Sequence, residues 1–224
     1  QNTIAIKSQK SGYLQYIDGE YLLKETSKSD ALLELYYRPG DHLVENIEIG
    51  TLYFNKALEE EQIKKICNQF FIGKTKVGDQ DVEFSIHQMV EMASRALSPG
   101  VNDPYTAMTC IDNLTASLCL FTKTEFPSQY RVDEQKKLRL IANITNFEGL
   151  MDASFNQIRQ FSAGSTAVII KLMEALITIN KFATKEIHKK AIIKHAKMVL
   201  NVGKQSIKEP IDYNDLEERS KKIL

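Results

Sequence analysis

The chain has 224 residues, 29 of them Lys or Arg and 29 Asp or Glu, and 43% of its residues are hydrophobic. This length suits one large domain or two small ones, and the composition excludes a disordered chain. The balanced charge argues against a nucleic-acid-binding protein, and no uncharged apolar run approaches the roughly 20 residues that span a bilayer.

The first 57 residues predict a small β-rich domain. Short runs of strand-forming residues are separated by turn signals, the strongest of which is Arg38-Pro39-Gly40-Asp41. One helical segment interrupts them near residues 20–29. So many short strands with tight turns favour a small β-barrel or a barrel-sandwich-like domain. The predicted strands are residues 3–6, 13–17, 31–37, 42–44 and 49–54.

From residue 58 onward, apolar residues recur with a period of about 3.6, which predicts an α-helical bundle domain over residues 58–224. The segment 165–183 is apolar over more than half of its circumference, so we expect it to be the central helix. The predicted fold class is therefore α+β. The predicted helices are residues 58–71, 81–97, one beginning at 103–104, 133–143, 146–161, 165–183, 185–203 and 212–222.

Charge is distributed unevenly along the chain. Residues 18–61 contain eleven acidic and four basic residues, whereas residues 181–208 contain eight lysines and one Glu. Most of these lysines lie on the amphipathic helix Lys185–Lys208. A solvated helix face would explain the pattern, and a contact with anionic lipid or with an acidic partner is the alternative.

A tight helix-loop-helix corner near residues 95–106 concentrates the polar residues that could bind a ligand. The start of the second helix exposes backbone N–H groups that suit an anion, although Asp103 as N-cap would occupy these donors. Two interpretations of this corner are possible. Its residues either have structural roles only, or they form a site for a ligand or a partner. The candidate ligand-binding residues are Asp81, His87, Arg95, Ser98, Asn102, Asp103 and Thr106.

Catalytic and metal-binding signatures are absent from the sequence. His87, Glu91 and Arg95 form one polar row at helical spacing, in which we expect a Glu91–Arg95 salt bridge. His87 and Glu91 alone are too few ligands for a metal site, so we predict no metal. Because no nucleophile, phosphate-loop or dithiol motif is present, we assign no catalytic residue and predict no cofactor. We expect the three cysteines to be reduced thiols.

Several of these segments resemble a family of bacterial predicted membrane proteins known only as a domain of unknown function. The most specific is Arg-Ala-Leu-Ser-Pro-Gly-Val-Asn-Asp-Pro at residues 95–104, and the resemblance runs from about residue 8 to residue 120. The family pattern usually has Arg where His87 stands, so an anion site here would be weaker or pH-dependent. The other matching segments are Ser11–Asp18, Arg38–Asp41, Thr75 and Gln80-Asp81.

This resemblance implies that several transmembrane helices precede the chain. We therefore expect a membrane anchor before Gln1, and a soluble C-terminal domain on the cytoplasmic side of the inner (cytoplasmic) membrane. The Lys185–Lys208 helix would be a second membrane contact, and we expect a homo-oligomer. The expected function is regulation, assembly or ligand sensing. The alternatives are an enzyme acting on an anionic substrate at the Arg95–Asp103 corner, or the vestibule of a channel or transport protein.

Overall fold

The structure is a computed structural model that describes residues 2–224. The described chain forms eight strands and eight helices, which confirms the α+β fold class. The strands are β1 (Asn2–Lys7), β2 (Gly12–Ile17), β3 (Leu32–Leu35), β4 (His42–Leu43), β5 (Glu48–Phe54), β6 (Phe70–Gly73), β7 (Tyr130–Val132) and β8 (Leu138–Ile141). The helices are α1 (Gly19–Lys28), α2 (Glu60–Cys67), α3 (Glu83–Ala96), α4 (Pro104–Phe121), α5 (Phe147–Phe161), α6 (Thr166–Phe182), α7 (Glu186–Ser206) and α8 (Pro210–Ser220).

Two compact units divide the chain. The first contains the residues up to Phe84 together with Pro127–Ile144, and the second contains Ser85–Phe126 together with Thr145–Leu224. The sequence had suggested a single boundary after residue 57. The first unit extends further because β6 pairs with β2 and the β7–β8 hairpin pairs with β3.

The strands of the first unit form two open sheets, so the predicted barrel is wrong. The larger sheet has the order β1-β5-β3-β8-β7 and the smaller has the order β4-β2-β6. Pairing is antiparallel except between β3 and β8. A barrel would require the first and last strands to pair, whereas β2 pairs only with β4 and β6 and leaves both sheets with two edges.

Two predicted helical segments contain strands instead. Residues 133–143 were expected to be helical, but they contain a turn and β8, which pairs in parallel with β3 and buries Leu140. The helix predicted over 58–71 ends at Cys67, and β6 follows it. In both segments, pairing with a strand that is distant in sequence outweighs the local helical pattern.

An ion-pair network centred on the buried side chain of Arg139 attaches the β7–β8 hairpin to the turn between α1 and β3. The side chain of Arg139 is 7% exposed, and its Nε and Nη2 atoms donate to Asp133 and Asp30, each at 2.7 Å. Its Nη1 atom also donates to the carbonyl of Ala31 at 3.4 Å. The hydrogen bond from Arg139, followed by backbone donors, lowers the pKa of Asp133 from 3.8 to about 2.

Because of this lowered pKa, the free energy of unfolding decreases as the pH becomes acidic. Because the folded state binds the Asp133 proton less tightly than the unfolded state, its contribution is complete above about pH 4 and is lost as the pH falls toward about 2. We expect Asp133→Asn to be less stable near neutral pH and to show a flatter loss of stability across this window. Urea unfolding at a series of pH values measures both effects, and an acid profile as steep as that of the wild type would contradict the assignment.

The second unit is a helical bundle with α6 at its centre. This helix packs against α4, α5, α7 and α8, as its broad apolar surface suggests. Within the described chain, no helix is both long enough and apolar enough to cross a bilayer. The buried residues of α6 are Val168, Ile169, Leu172, Met173, Ala175, Leu176 and Ile179.

Candidate functional site

The motif at Arg38–Asp41 forms a turn that is bonded to strand β2. The amide of Gly40 donates to the carbonyl of Leu14 at 2.8 Å, and the amide of Leu14 donates to the carbonyl of Asp41 at 2.9 Å. The Asp41 carboxylate accepts from the amide of Arg38 at 2.9 Å and closes the turn. These contacts give the motif a structural role within the first unit.

Two glutamines attach the segment after β6 to the same strand. The side chain of Gln80 accepts from the amide of Ile17 at 3.0 Å and donates to its carbonyl at 3.3 Å, as a paired strand would. Gln15 donates to the carbonyl of Thr75 at 2.7 Å. The matching segments of the N-terminal half therefore meet around β2, although they are distant in sequence.

Asp81, the first candidate residue, is a buried carboxylate at the start of α3. It is 8% exposed, and its Oδ1 atom accepts from the amide of Glu83 at 3.0 Å. The carboxylate also lies against Gly40, where any Cβ atom would collide with it. Asp81 therefore holds the turn against the first turn of α3, where Arg38 pairs with Glu83 at 2.9 Å. Asp81 belongs to the first unit and the other six candidates to the second.

The corner between α3 and α4 is fixed by its own backbone. The amide of Asp103 donates to the carbonyl of Ala96 at 2.8 Å, and the amide of Asn102 donates to the carbonyl of Ser98 at 2.9 Å. The Ser98 hydroxyl donates to the carbonyl of Arg95 at 2.7 Å. Asn102 has a φ of 48°, a conformation that Asn adopts more readily than most residues.

Asp103 caps α4, as the sequence predicts. Its carboxylate accepts from the amide of Thr106 at 3.1 Å and from the hydroxyl of the same residue at 2.5 Å. The hydroxyl hydrogen bond first, and the backbone hydrogen bond second, lower the pKa of Asp103. Asp103 already supplies a carboxylate to the start of α4. An external anion would therefore gain less binding free energy at this helix terminus.

The polar row on α3 also contains a local pair. Arg95 bonds to Glu91 at 2.7 Å, which confirms the predicted salt bridge, and both side chains are at least 70% exposed. His87 lies exposed on the same helix. The enzyme alternative requires Arg95 and Asp103 to converge on a substrate. Their described contacts are instead a helical salt bridge and a helix cap, so they lend that alternative no support.

Sequence reasoning missed the apolar side chains that surround this corner. Tyr105 is 77% exposed, and Val101 and Met92 are 56% and 55% exposed. We define the corner surface as these three residues together with Glu91 and Arg95. The signal in the sequence is that all three apolar residues lie outside the apolar stripes that face the core.

Two histidines of α7 are interior side chains. His195 is fully buried, and its Nε2 atom lies 3.0 Å from Asp152 of α5. His188 stacks on Phe147 with ring centroids 4.2 Å apart. Burial lowers the pKa of both residues, which favours their neutral forms. Among residues 2–224, no group of three or more His, Cys, Asp or Glu side chains is arranged to hold a metal ion.

Comparison with known proteins identifies the family. A family model described as "Predicted membrane protein (DUF2254)" matches residues 1–178. The chain belongs to this family. The match contains both the motifs around β2 and the corner surface, and it extends beyond residue 120, where the resemblance in the sequence becomes diffuse. It ends within α6, so α7 and α8 lie outside it.

Curated relatives of this DUF2254 chain come from mycobacteria and have the printed name "uncharacterized protein". Uncharacterized protein Rv1290c of Mycobacterium tuberculosis (strain H37Rv) is 26% identical over 184 residues, which cover 80% of this chain and 35% of the relative. Uncharacterized protein Mb1321c of Mycobacterium bovis has the same identity and coverage. The chain thus spans about a third of the length of the curated relatives it matches. No solved structure matches it.

Proposed function

We propose that this chain is a water-exposed domain on the cytoplasmic side of a bacterial membrane protein, and that it acts in assembly by binding a second copy at the corner surface. The observation that carries the proposal is the exposure of Tyr105, Val101 and Met92, three large apolar residues of α3, of α4 and of the loop between them. Several exposed large apolar side chains in one part of a domain are typical of interaction surfaces. Tyr, Met and Arg are also residue types enriched in protein interfaces.

A protein partner suits this corner better than a small anion. Asp103 satisfies donors at the start of α4 with its own carboxylate, and Glu91 neutralises Arg95. The other residues of the corner surface, Met92, Val101 and Tyr105, are exposed and apolar. An anion would gain little from them, whereas a second protein surface could cover all three.

The charge of the corner surface favours a second copy of the same chain. It contains one acidic and one basic residue, so two copies can face each other without net repulsion. In a two-fold arrangement, Arg95 of one copy can pair with Glu91 of the other. The neighbouring exposed face of α4 is mostly uncharged, since its one carboxylate, Asp112, pairs with Lys171 at 2.7 Å. The uncharged exposed residues of that face are Thr109, Asn113, Ala116 and Leu120.

The reduced state of the cysteines supports a location of this domain on the cytoplasmic side of the membrane. Cys67, Cys110 and Cys119 are all free, and burial raises the pKa of each thiol. Free thiols are common in proteins of reducing compartments. Placement on the cytoplasmic side is therefore part of the proposal.

Replacement of Tyr105 by Asp tests the assembly role. We expect the wild-type protein to self-associate in sedimentation equilibrium and Tyr105→Asp to weaken this association at least tenfold, because the contact would bury a carboxylate. Val44→Asp is a matched control, since Val44 is 57% exposed in the first unit. A wild-type protein that stays monomeric at every concentration, or equal effects of the two variants, would contradict the proposal.

A further inference from the structure

One exposed face of α7 carries a straight row of lysines. Lys190, Lys197 and Lys204 are exposed and seven residues apart. Seven residues turn an α-helix by about 700°, so successive members lie within about 20° of one line and about 10 Å apart. Lys194 and Asn201 are exposed beside this row. The basic face is defined as these five residues.

The three lysines of the row have no neutralising partner among the described residues. Lys194, by contrast, bonds to Glu148 of α5 at 2.9 Å and to Asp152 at 3.2 Å. At a spacing of about 10 Å these exposed like charges repel one another only weakly, and together they leave a positive face that an external anion can neutralise. The repeated spacing extends this positive charge over about 20 Å.

Two exposed apolar side chains lie close in sequence to the basic face. Ile187 is 67% exposed, one turn before Lys190 on the same side of α7. Ile211 is 75% exposed in the first turn of α8, directly beyond the end of α7. Basic residues combined with exposed large apolar residues are typical of helices that lie in a membrane interface.

We infer that the basic face of α7 lies on the surface of an anionic bilayer. Lys190, Lys197 and Lys204 would contact lipid phosphates, and Ile187 would enter the headgroup region. The chain belongs to a membrane-protein family, which places such a surface within its reach. A second copy fits this face poorly because two lysine rows would repel each other.

The membrane contact and the proposed assembly contact use different faces of the second unit. Helices α4 and α7 each pack on α6. The inference shares with the proposed function only the location beside a membrane. An experiment that contradicts the membrane contact therefore leaves the proposed assembly role untouched, and the reverse also holds.

Co-sedimentation of the 224-residue protein with lipid vesicles tests this inference. We expect binding to vesicles of phosphatidylcholine with phosphatidylglycerol, weaker binding at high salt, and little binding to phosphatidylcholine alone. Replacing Lys190, Lys197 and Lys204 by Gln together should lower the partition coefficient roughly 100-fold, since each lysine near the surface contributes about a factor of five. The matched control replaces Lys10, Lys64 and Lys74, three exposed lysines of the first unit, with the same change in net charge.

Three results would overturn the inference. They are equal binding to neutral and anionic vesicles, equal loss of binding in the two triple variants, and loss of self-association rather than of vesicle binding in the α7 variant. The last result would indicate that the basic face contacts an acidic surface of a second copy. Tyr105→Asp should keep the preference for anionic vesicles, which separates this test from that of the assembly role. Circular dichroism checks that each variant folds.

Discussion

Replacing Arg139 by Leu is expected to lower the free energy of unfolding by about 3 kcal/mol. This is one of the two single substitutions for which we expect the largest loss of stability. The side chain of Arg139 is 7% exposed and lies between the carboxylates of Asp133 and Asp30. Its removal leaves the Asp133 carboxylate, which is equally buried, without a cation. Urea unfolding at neutral pH measures the loss.

Lys137 provides a control in the same hairpin. Its ammonium group is 58% exposed and lies 3.9 Å from Asp30. Exposed ion pairs contribute little, so Lys137→Gln should change stability by less than about 1 kcal/mol. If Arg139→Leu were as mild as Lys137→Gln, the network would not anchor the hairpin.

Replacing Gly40 by Ala is expected to destabilise the protein by about 3 kcal/mol, from two separable causes. Gly40 has a φ of 99°, which side chains rarely adopt, and the Asp81 carboxylate occupies the space that a Cβ atom needs. Gly164 has a φ of 97° with no atom within 4 Å of such a Cβ atom, so Gly164→Ala isolates the backbone cost. That cost should be about 1–2 kcal/mol.

A double-mutant cycle with Asp81 separates the two causes. In an Asp81→Ala background the collision is absent, so the cost of Gly40→Ala should fall to that of Gly164→Ala. Thermal and urea unfolding of the four variants give the coupling energy. An unchanged cost in the two backgrounds would show that Asp81 does not restrict Gly40, and the buried role assigned to this carboxylate would be wrong.

Local signals explain the parts of the fold that the sequence predicted. The five N-terminal strands and the turn at Arg38–Asp41 depend on neighbouring residues, and so do the Asp103 cap and the Glu91–Arg95 pair. The β7–β8 hairpin depends instead on pairing with β3 about a hundred residues earlier. The sequence of the hairpin has no local feature that predicts this pairing. The open sheets were missed for the same reason, because strand order is a long-range property.

The positions of the candidate residues in the fold were predicted to the same extent. Six of the seven residues lie on α3, on α4 or in the loop between these helices, because spacing along adjoining helices is a local property. Asp81 differs, since its contact with Gly40 joins positions forty residues apart and buries a carboxylate that had been assigned to a ligand site. The exposure of Met92, Val101 and Tyr105 has one signal in the sequence, their position outside the apolar stripes, and the packed structure shows that the core leaves all three exposed.

Oxidative footprinting across a dilution series tests most directly whether a second copy covers the corner surface. We expect Met92 and Tyr105 to be modified slowly in concentrated protein and faster on dilution, whereas Phe71, which is 51% exposed in the first unit, should react at one rate throughout. Tyr105→Asp should make Met92 reactive at every concentration. Equal rates for Met92 and Tyr105 at all wild-type concentrations would contradict an assembly role for this surface.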